Sequence, residues 1–185
     1  VLGLVISSGI KVLVLAVIVG IGSTLFDEFR AGFGGAQPSI EDAMAVNKPL
    51  DSFHRVLTPK IQGALNLDAA TREVPLDFLV LFSSASAVFG SMGQTDYAAG
   101  NQFMDTLATL REGLRERGLR SGRTLSLNWP LWREGGMRIH PEVEEMILRN
   151  TGLKVLETGR GLAAFALAQA LPGAQLMLLE GDPTI

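Results

Sequence analysis

The 185-residue chain contains no cysteine, which excludes a disulfide framework, a thiolate nucleophile and any Cys-ligated metal site. Its two histidines, His54 and His140, leave almost nothing from which to build a His-rich site, and no metal is expected. Positive charge is scarce: 16 Lys and Arg stand against 19 Asp and Glu, for a formal net charge of −3. Phosphate-backbone binders concentrate positive charge, so nucleic acid is not an expected partner. The absence of cysteine reads as a cytoplasmic chain. Tyrosine occurs once, at Tyr97, and the first 26 residues carry a single charge, Lys11. What is abundant is apolar material, 47% of residues against 19% charged. That is one globular domain's worth of chain with ample core, neither disordered nor coiled coil in composition.

The charge-poor opening, VLGLVISSGIKVLVLAVIVGIGSTLF, admits two readings. Val12 to Phe26 is a run of 15 uncharged residues, shorter than the ~20 apolar residues that span a bilayer. A secretory signal fits poorly, because no basic segment precedes the run and no small-residue cleavage site follows it. Buried strands of a parallel sheet, apolar because both faces are covered, are the preferred reading, and a membrane span is not expected. Gly20 and Gly22 follow the apolar run as a dinucleotide-binding turn would, but Leu25 stands where the third glycine of that fingerprint belongs.

Residues 27–49 read as a loop-like connection, with a short helix possible after Ser39. From Leu50, the apolar residues Phe53, Leu57, Ile61, Ala64 and Leu65 predict one buried helix face, with Pro59 kinking the helix or restarting it near Lys60. Pro75 to Ser84 predicts a buried strand whose carboxyl end carries hydroxyls. Residues 94–117 predict a helix with Phe103, Leu107, Leu110 and Leu114 on one side and Arg111, Glu112, Arg115 and Glu116 on the other. A strand at 123–128, helices near 141–150 and 159–171, and a last strand at 175–179 complete the pattern. Alternating strands and helices imply βαβ units and an α/β fold with a parallel sheet. In such sheets ligands bind beyond the carboxyl ends of the strands, where Ser83, Ser84 and Asn128 fall.

Four residues concentrate the chemistry. Tyr97 and Asn101 lie four apart at a helix start and share a face. Ser84 ends the preceding strand, and Lys60 approaches from the helix before it. An ammonium beside a tyrosine stabilises its phenolate and lowers its pKa from ~10. A serine holds a substrate oxygen, and an asparagine orients a water or the lysine. Together the four suit proton donation to a carbonyl oxygen that is becoming an alkoxide. Singly, each has a plain structural reading: Ser84 a cap, Tyr97 a half-buried core residue, Asn101 a helix-surface residue, Lys60 a solvated charge. Their arrangement argues for chemistry.

The segments PKIQGALNLDAAT (59–71), LDFLVLFSSASAVFGSMGQTDYAAGNQFMD (76–105) and RTLSLNWPLWREGGM (123–137) resemble the ketoreductase domains of modular polyketide synthases. They are most similar to those of synthases whose acyltransferases act in trans, within the short-chain dehydrogenase/reductase superfamily. The resemblance implies a Rossmann-like doubly wound sheet and NADPH-dependent reduction of a β-ketoacyl thioester tethered to an acyl carrier protein, among neighbouring synthase domains. It makes Tyr97 the proton donor, Ser84 its partner on the ketone oxygen, Lys60 the residue that tunes Tyr97 and touches the nicotinamide ribose, and Asn101 the fourth member. It also makes Pro130 and Leu131 cofactor contacts, and Asp42, Phe89 and Met137 substrate contacts. Core packing under a loop is the alternative for the 129–137 segment. Ile40-Glu-Asp42 falls where B-type domains, which make a D-configured hydroxyl, carry Leu-Asp-Asp, and Phe89 falls where A-type domains carry a diagnostic Trp.

The chain also departs from that family. The Thr-Gly-Gly-x-Gly-x-x-Gly turn whose amides hold the pyrophosphate is not legible in residues 1–38, and Gly35-Ala-Gln-Pro38 replaces an expected His-Ala-Ala-Gly. Residues 1–38 therefore read as an apolar, strand-rich, partial or degenerate Rossmann half, and 39–185 as the catalytic half with its lid. A non-reducing structural or epimerising module of a synthase is the alternative function.

Overall fold

A computed structural model describes residues 12–15, 42–134 and 139–181, the first group by backbone alone. Four parallel strands form one sheet in the order β1-β2-β3-β4. These are β1 (Val12–Leu15), β2 (Phe78–Ser84), β3 (Arg123–Trp129) and β4 (Gln175–Met177). β1 pairs with β2 from Val12 opposite Phe78 to Leu15 opposite Leu81. The strand reading of the apolar opening thus holds for these four residues; Gly20, Gly22 and the 35–38 segment lie outside the described residues. β2 and β3 run side by side from Phe78 opposite Arg123 to Ser84 opposite Trp129, and Ser126 to Asn128 pair with Gln175 to Met177.

Helix α1 (Leu50–Ala70) precedes β2, and the short α2 (Ser86–Phe89) and long α3 (Thr95–Glu116) link β2 to β3. Helices α4 (Pro141–Thr151) and α5 (Thr158–Ala168) lie between β3 and β4. Because side chains alternate along a strand, the two sheet faces build two cores. Leu79 and Leu81 pack with Ala64 of α1 and with Met104, Leu107 and Ala108 of α3. On the other face Val80, Leu125, Leu127 and Trp129 pack with Leu156 and Ala168, flanked by Phe82, Trp132 and Phe165. Each Leu, Val, Met or Phe side chain among them stabilises the fold by about 1.5–3 kcal/mol when fully buried. The two tryptophans thus have the packing role, Trp129 and Trp132 meeting edge-on at 4.9 Å. A Cβ on Gly161 of α5 would fall 2.2 Å from the Trp132 ring, so that glycine is what admits the indole.

Both long helices turn inward a stripe shifted by about a residue from the one their apolar spacing predicts, sharing with it Ala64 on α1 and Leu107 on α3. On α1 the buried residues are Ser52, Val56, Lys60 and Ala64, while Phe53, Leu57 and Ile61 flank them and Leu65 is exposed. The helix runs through Pro59 without restarting. Packing of the Val56–Lys60–Ala64 stripe offsets the one ladder bond that proline cannot make. On α3 the inward stripe is Asn101, Met104, Asp105, Leu107, Ala108 and Arg111, and Leu110 is exposed. Arg111, read from sequence as solvent-facing, is fully buried. Its guanidinium donates to Asp68 at 2.9 Å and to the Thr124 hydroxyl at 2.8 Å, and Asp68 also receives Arg120 at 2.8 Å. The polar side of β3, Thr124, Ser126 and Asn128, is buried too, because α3 offers it Arg111 and Asp105 as partners. Among the described residues no helix is long and apolar enough to cross a membrane.

Candidate active site

The site forms where β2 ends, α3 begins and the middle of α1 passes alongside. Gly100 allows this approach: a Cβ there would stand 2.7 Å from Lys60 Cδ. Lys60, only 3% exposed, therefore lies across the first turns of α3, where Nζ donates to Asn101 Oδ1 at 3.2 Å and sits 4.7 Å from the centre of the Tyr97 ring. Asn101, 1% exposed, is held in turn by its Nδ2 donating to the Tyr97 carbonyl at 2.9 Å. The polar side chains of Ser84 and Asn101 both act on the Tyr97 phenol, favouring its ionised form. Ser84 Oγ also accepts the Ser86 amide at 3.2 Å and its hydroxyl at 2.9 Å, fixing the turn out of β2. The structure thus brings together all four residues singled out from sequence. The readings of Asn101 as a surface residue and Lys60 as a solvated charge do not survive.

The electrostatics differ from the sequence expectation. Burial pushes the Tyr97 phenol above its ordinary value, and the polar side chains of Ser84 and Asn101 offset only part of that rise. Burial lowers Lys60 to about 7. The expected lowering of Tyr97 by an adjacent ammonium is absent because Lys60 faces the ring and Asn101 rather than the hydroxyl, and because the same desolvation disfavours both charged forms. Near neutral pH the phenol therefore carries its proton, as a general acid must.

The remaining site residues are placed unevenly. Asp42 is exposed and its carboxylate accepts Gln94 Nε2 at 3.2 Å, three residues before Tyr97. Phe89 ends α2 and is 61% exposed. Pro130 and Leu131 leave the carboxyl end of β3 half-buried, with the Leu131 carbonyl accepting the Leu156 amide at 2.8 Å. Met137 lies outside the described residues. Sequence reasoning missed the Lys48–Asp96 ion pair, at 2.5 Å with both side chains 1% exposed. Asp96 Oδ1 also accepts the Tyr97 amide at 2.8 Å, so the pair fastens the 42–49 segment to the helix end that carries Tyr97. The position of Asp96 within the quoted Gly-Gln-x-Asp-Tyr segment was the available signal. Asp105, one turn beyond Asn101, was also missed.

Lys60 carries three N–H donors when protonated and two when neutral, and Asn101 takes one. The donor set thus suits the ribose hydroxyls of a nicotinamide cofactor beside Tyr97.

A parallel α/β sheet with serine, tyrosine, lysine and asparagine gathered at its carboxyl edge defines a Rossmann-like reductase of the short-chain dehydrogenase/reductase type. The family model described as KR domain matches residues 35–134, and the chain belongs to that ketoreductase family. It is 44% identical over 143 residues to polyketide synthase PksN of Bacillus subtilis (strain 168), a match covering 77% of this chain and 3% of that protein. Polyketide synthase ThaG of Burkholderia thailandensis is 41% identical over 143 residues, again 77% of this chain and 2% of that protein. The chain thus spans only a few hundredths of the length of these curated relatives. Among solved structures, a ketoreductase domain from the bacillaene assembly line superposes with a TM-score of 0.77 at 36% identity, covering 86% of this chain and 40% of that one. An N-terminal ketoreductase from the macrolactin assembly line gives 0.68 at 36% identity, covering 86% of this chain and 31% of that one.

Proposed function

We propose that residues 39–185 are the catalytic half of an NADPH-dependent β-ketoacyl reductase that converts a carrier-bound β-ketoacyl thioester to the β-hydroxyacyl thioester during polyketide assembly. The observation that carries this reading is the buried contact of Lys60 with both Asn101 and Tyr97, at 3.2 Å and 4.7 Å. A lysine placed at the centre of an otherwise apolar helix stripe costs stability, and a proton-transfer site gives that cost a purpose. In the reaction the cofactor supplies the hydride. Tyr97 donates its proton to the ketone oxygen as negative charge grows there. Ser84, at the end of β2, donates a hydrogen bond to the same oxygen and keeps it in line with the phenol. Lys60, through Asn101 and its position over the ring, replenishes the proton and meets the ribose. Pro130 and Leu131, at the mouth of β3, bound the cofactor's nicotinamide end.

Asp42, Phe89 and Met137 are the residues that meet the acyl chain. The acidic Ile40-Glu-Asp42 stretch and a phenylalanine in place of tryptophan at 89 favour a D-configured product. The partner is an acyl carrier protein presenting a phosphopantetheine-linked chain, beside other synthase domains in the cytoplasm.

The test uses the full natural polypeptide that carries this chain, with a β-ketothioester surrogate and either NADPH or NADH. Consumption of NADPH in preference to NADH, with a D-hydroxy product, is expected. Loss of α-deuterium from a labelled surrogate without any cofactor oxidation would replace the reductase reading with an epimerising one.

A further inference from the structure

Behind the four residues of the site lies a buried carboxylate that the chemistry above does not use. Asp105 is 1% exposed and sits on α3 one turn after Asn101. Its Oδ1 accepts the Ser126 hydroxyl at 2.6 Å. Its Oδ2 accepts Asn128 Nδ2 at 2.8 Å and Gln175 Nε2 at 3.1 Å. One carboxylate on a helix is thereby tied to two strands.

Asn128 is the member that reaches the site. Its Nδ2 also lies 3.1 Å from the Ser84 carbonyl and 3.1 Å from Ser83 Oγ, whose own proton goes to the Asn101 carbonyl at 3.3 Å. Its Oδ1 accepts Gln175 Nε2 at 2.9 Å. An amide has two unlike ends, and reversing this one would turn its oxygen toward the Ser84 carbonyl and the Asp105 carboxylate, and its nitrogen toward the donor on Gln175. Asp105 and Gln175 thus select, from opposite sides, the one orientation in which Asn128 can bond the end of β2. Without Asp105, one of the two acceptors opposing reversal is lost.

We propose that Asp105 is a positioning residue: by setting the direction of the Asn128 amide it holds the end of β2, and with it the Ser84 hydroxyl, against Tyr97. The inference rests on the reductase reading only for its effect on rate, because the geometry it controls exists without a substrate. Asp105→Asn keeps an acceptor for Asn128, since its second atom can turn to Ser126 as donor. Asp105→Leu offers none. Ser126→Ala removes a bond to the same carboxylate but leaves Asn128 its partner, and so serves as the structural control.

The experiment measures two quantities in the full natural polypeptide. The first is kcat and cofactor KM with the β-ketothioester surrogate. The second is the tyrosinate titration that disappears in Tyr97→Phe, which reports whether Ser84 still stands where its polar side chain holds that pKa down. Lys60 from α1 faces the Tyr97 ring and the Lys48–Asp96 pair lies at the start of α3, and every variant keeps them, while Asp105→Asn and Asp105→Leu remove the same Asp105 charge and differ only in the acceptor left for Asn128. Asp105→Leu is expected to lower kcat roughly tenfold or more with cofactor KM unchanged, and to raise the Tyr97 midpoint. Asp105→Asn should stay within a few-fold of the parent, and Ser126→Ala should move neither quantity even where it lowers the melting temperature. If Asp105→Leu fails to fold, Gln175→Leu, at an exposed position, releases the other side of the amide and should give the same changes on a smaller scale. Equal responses from Asp105→Leu and Ser126→Ala, or an unmoved Tyr97 midpoint in both Asp105→Leu and Gln175→Leu, would overturn the proposal. A parent protein that reduces nothing but whose Tyr97 midpoint depends on Asp105 would sink the reductase reading and leave the positioning role standing.

Discussion

Tyr97 and Lys60 share one desolvated space, and each is pushed toward its neutral form. For Tyr97 this means a protonated donor across the neutral range, so Tyr97→Phe should cost about 10²–10⁴-fold in kcat while the fold, measured by thermal unfolding, stays intact. An unaltered rate would remove Tyr97 from the chemistry. For Lys60 the consequence is linkage. Its pKa is about 7 in the folded chain and near the ordinary ~10.4 when unfolded. Between those values the unfolded state binds the additional proton, so stability should rise as pH increases from about 7 toward 10. Urea midpoints measured across that window without cofactor should show this slope, and Lys60→Met should abolish it. A slope that persists in the variant would assign it to another group. Both residues were legible from sequence, because a lone tyrosine four residues before an asparagine is a visible pattern. The direction of their pKa shifts was not, since desolvation depends on what packs around them.

At the scale of elements, the site depends on how closely α1 and α3 cross. Gly100 sits where a Cβ would press on the Lys60 stem at 2.7 Å. Gly100→Ala should gain up to ~1 kcal/mol of helix propensity, yet displace Lys60 from Asn101. The expected outcome is a kcat lowered by about an order of magnitude with little change in melting temperature. Unchanged kcat would show that the lysine stem accommodates the methyl group. Spacing along each helix identified the helices and their approximate limits, but placed the buried stripe a residue or so away from its observed position on both. The reason is that three- and four-residue spacing weighs only apolar residues, and these two helices bury polar ones, Lys60 and Ser52 on α1 and Asn101, Asp105 and Arg111 on α3. β3 buries polar residues likewise, since Thr124, Ser126 and Asn128 are as buried as the leucines between them.

Across the whole molecule, the layer between α3 and the sheet carries a polar seam that extends from Lys60 and Asn101 through Asp105 to Arg111 and Asp68. Asp68 is its anchor at the end far from the site, because it neutralises both Arg111 and Arg120. Asp68→Ala leaves the fully buried Arg111 without a carboxylate and should cost roughly 3–5 kcal/mol in urea denaturation. A loss below ~1 kcal/mol would show that the Ser121 carbonyl and the Thr124 hydroxyl suffice. The two arginines also hold the Asp68 carboxyl below its ordinary value. Its contribution is therefore complete above the ordinary carboxyl value of about 4 and is lost as pH falls through the lowered folded value. Acid unfolding of Asp68→Ala should accordingly be less steep than that of the parent.

The sequence by itself determined the α/β class, the parallel strands and the identity of the four residues at the carboxyl edge. These follow from periodicity, from strand-end chemistry and from a motif in which Ser84, Tyr97 and Asn101 are close along the chain, with Lys60 on the helix before it. Only the tertiary structure decided which helix stripe turned inward, that Arg111 and Asp105 are buried partners of β3, that Lys48 meets Asp96, and that burial outweighs the ammonium at Tyr97. Each of those outcomes depends on groups distant in sequence sharing one desolvated space, where a polar residue's partner rather than its polarity fixes its place.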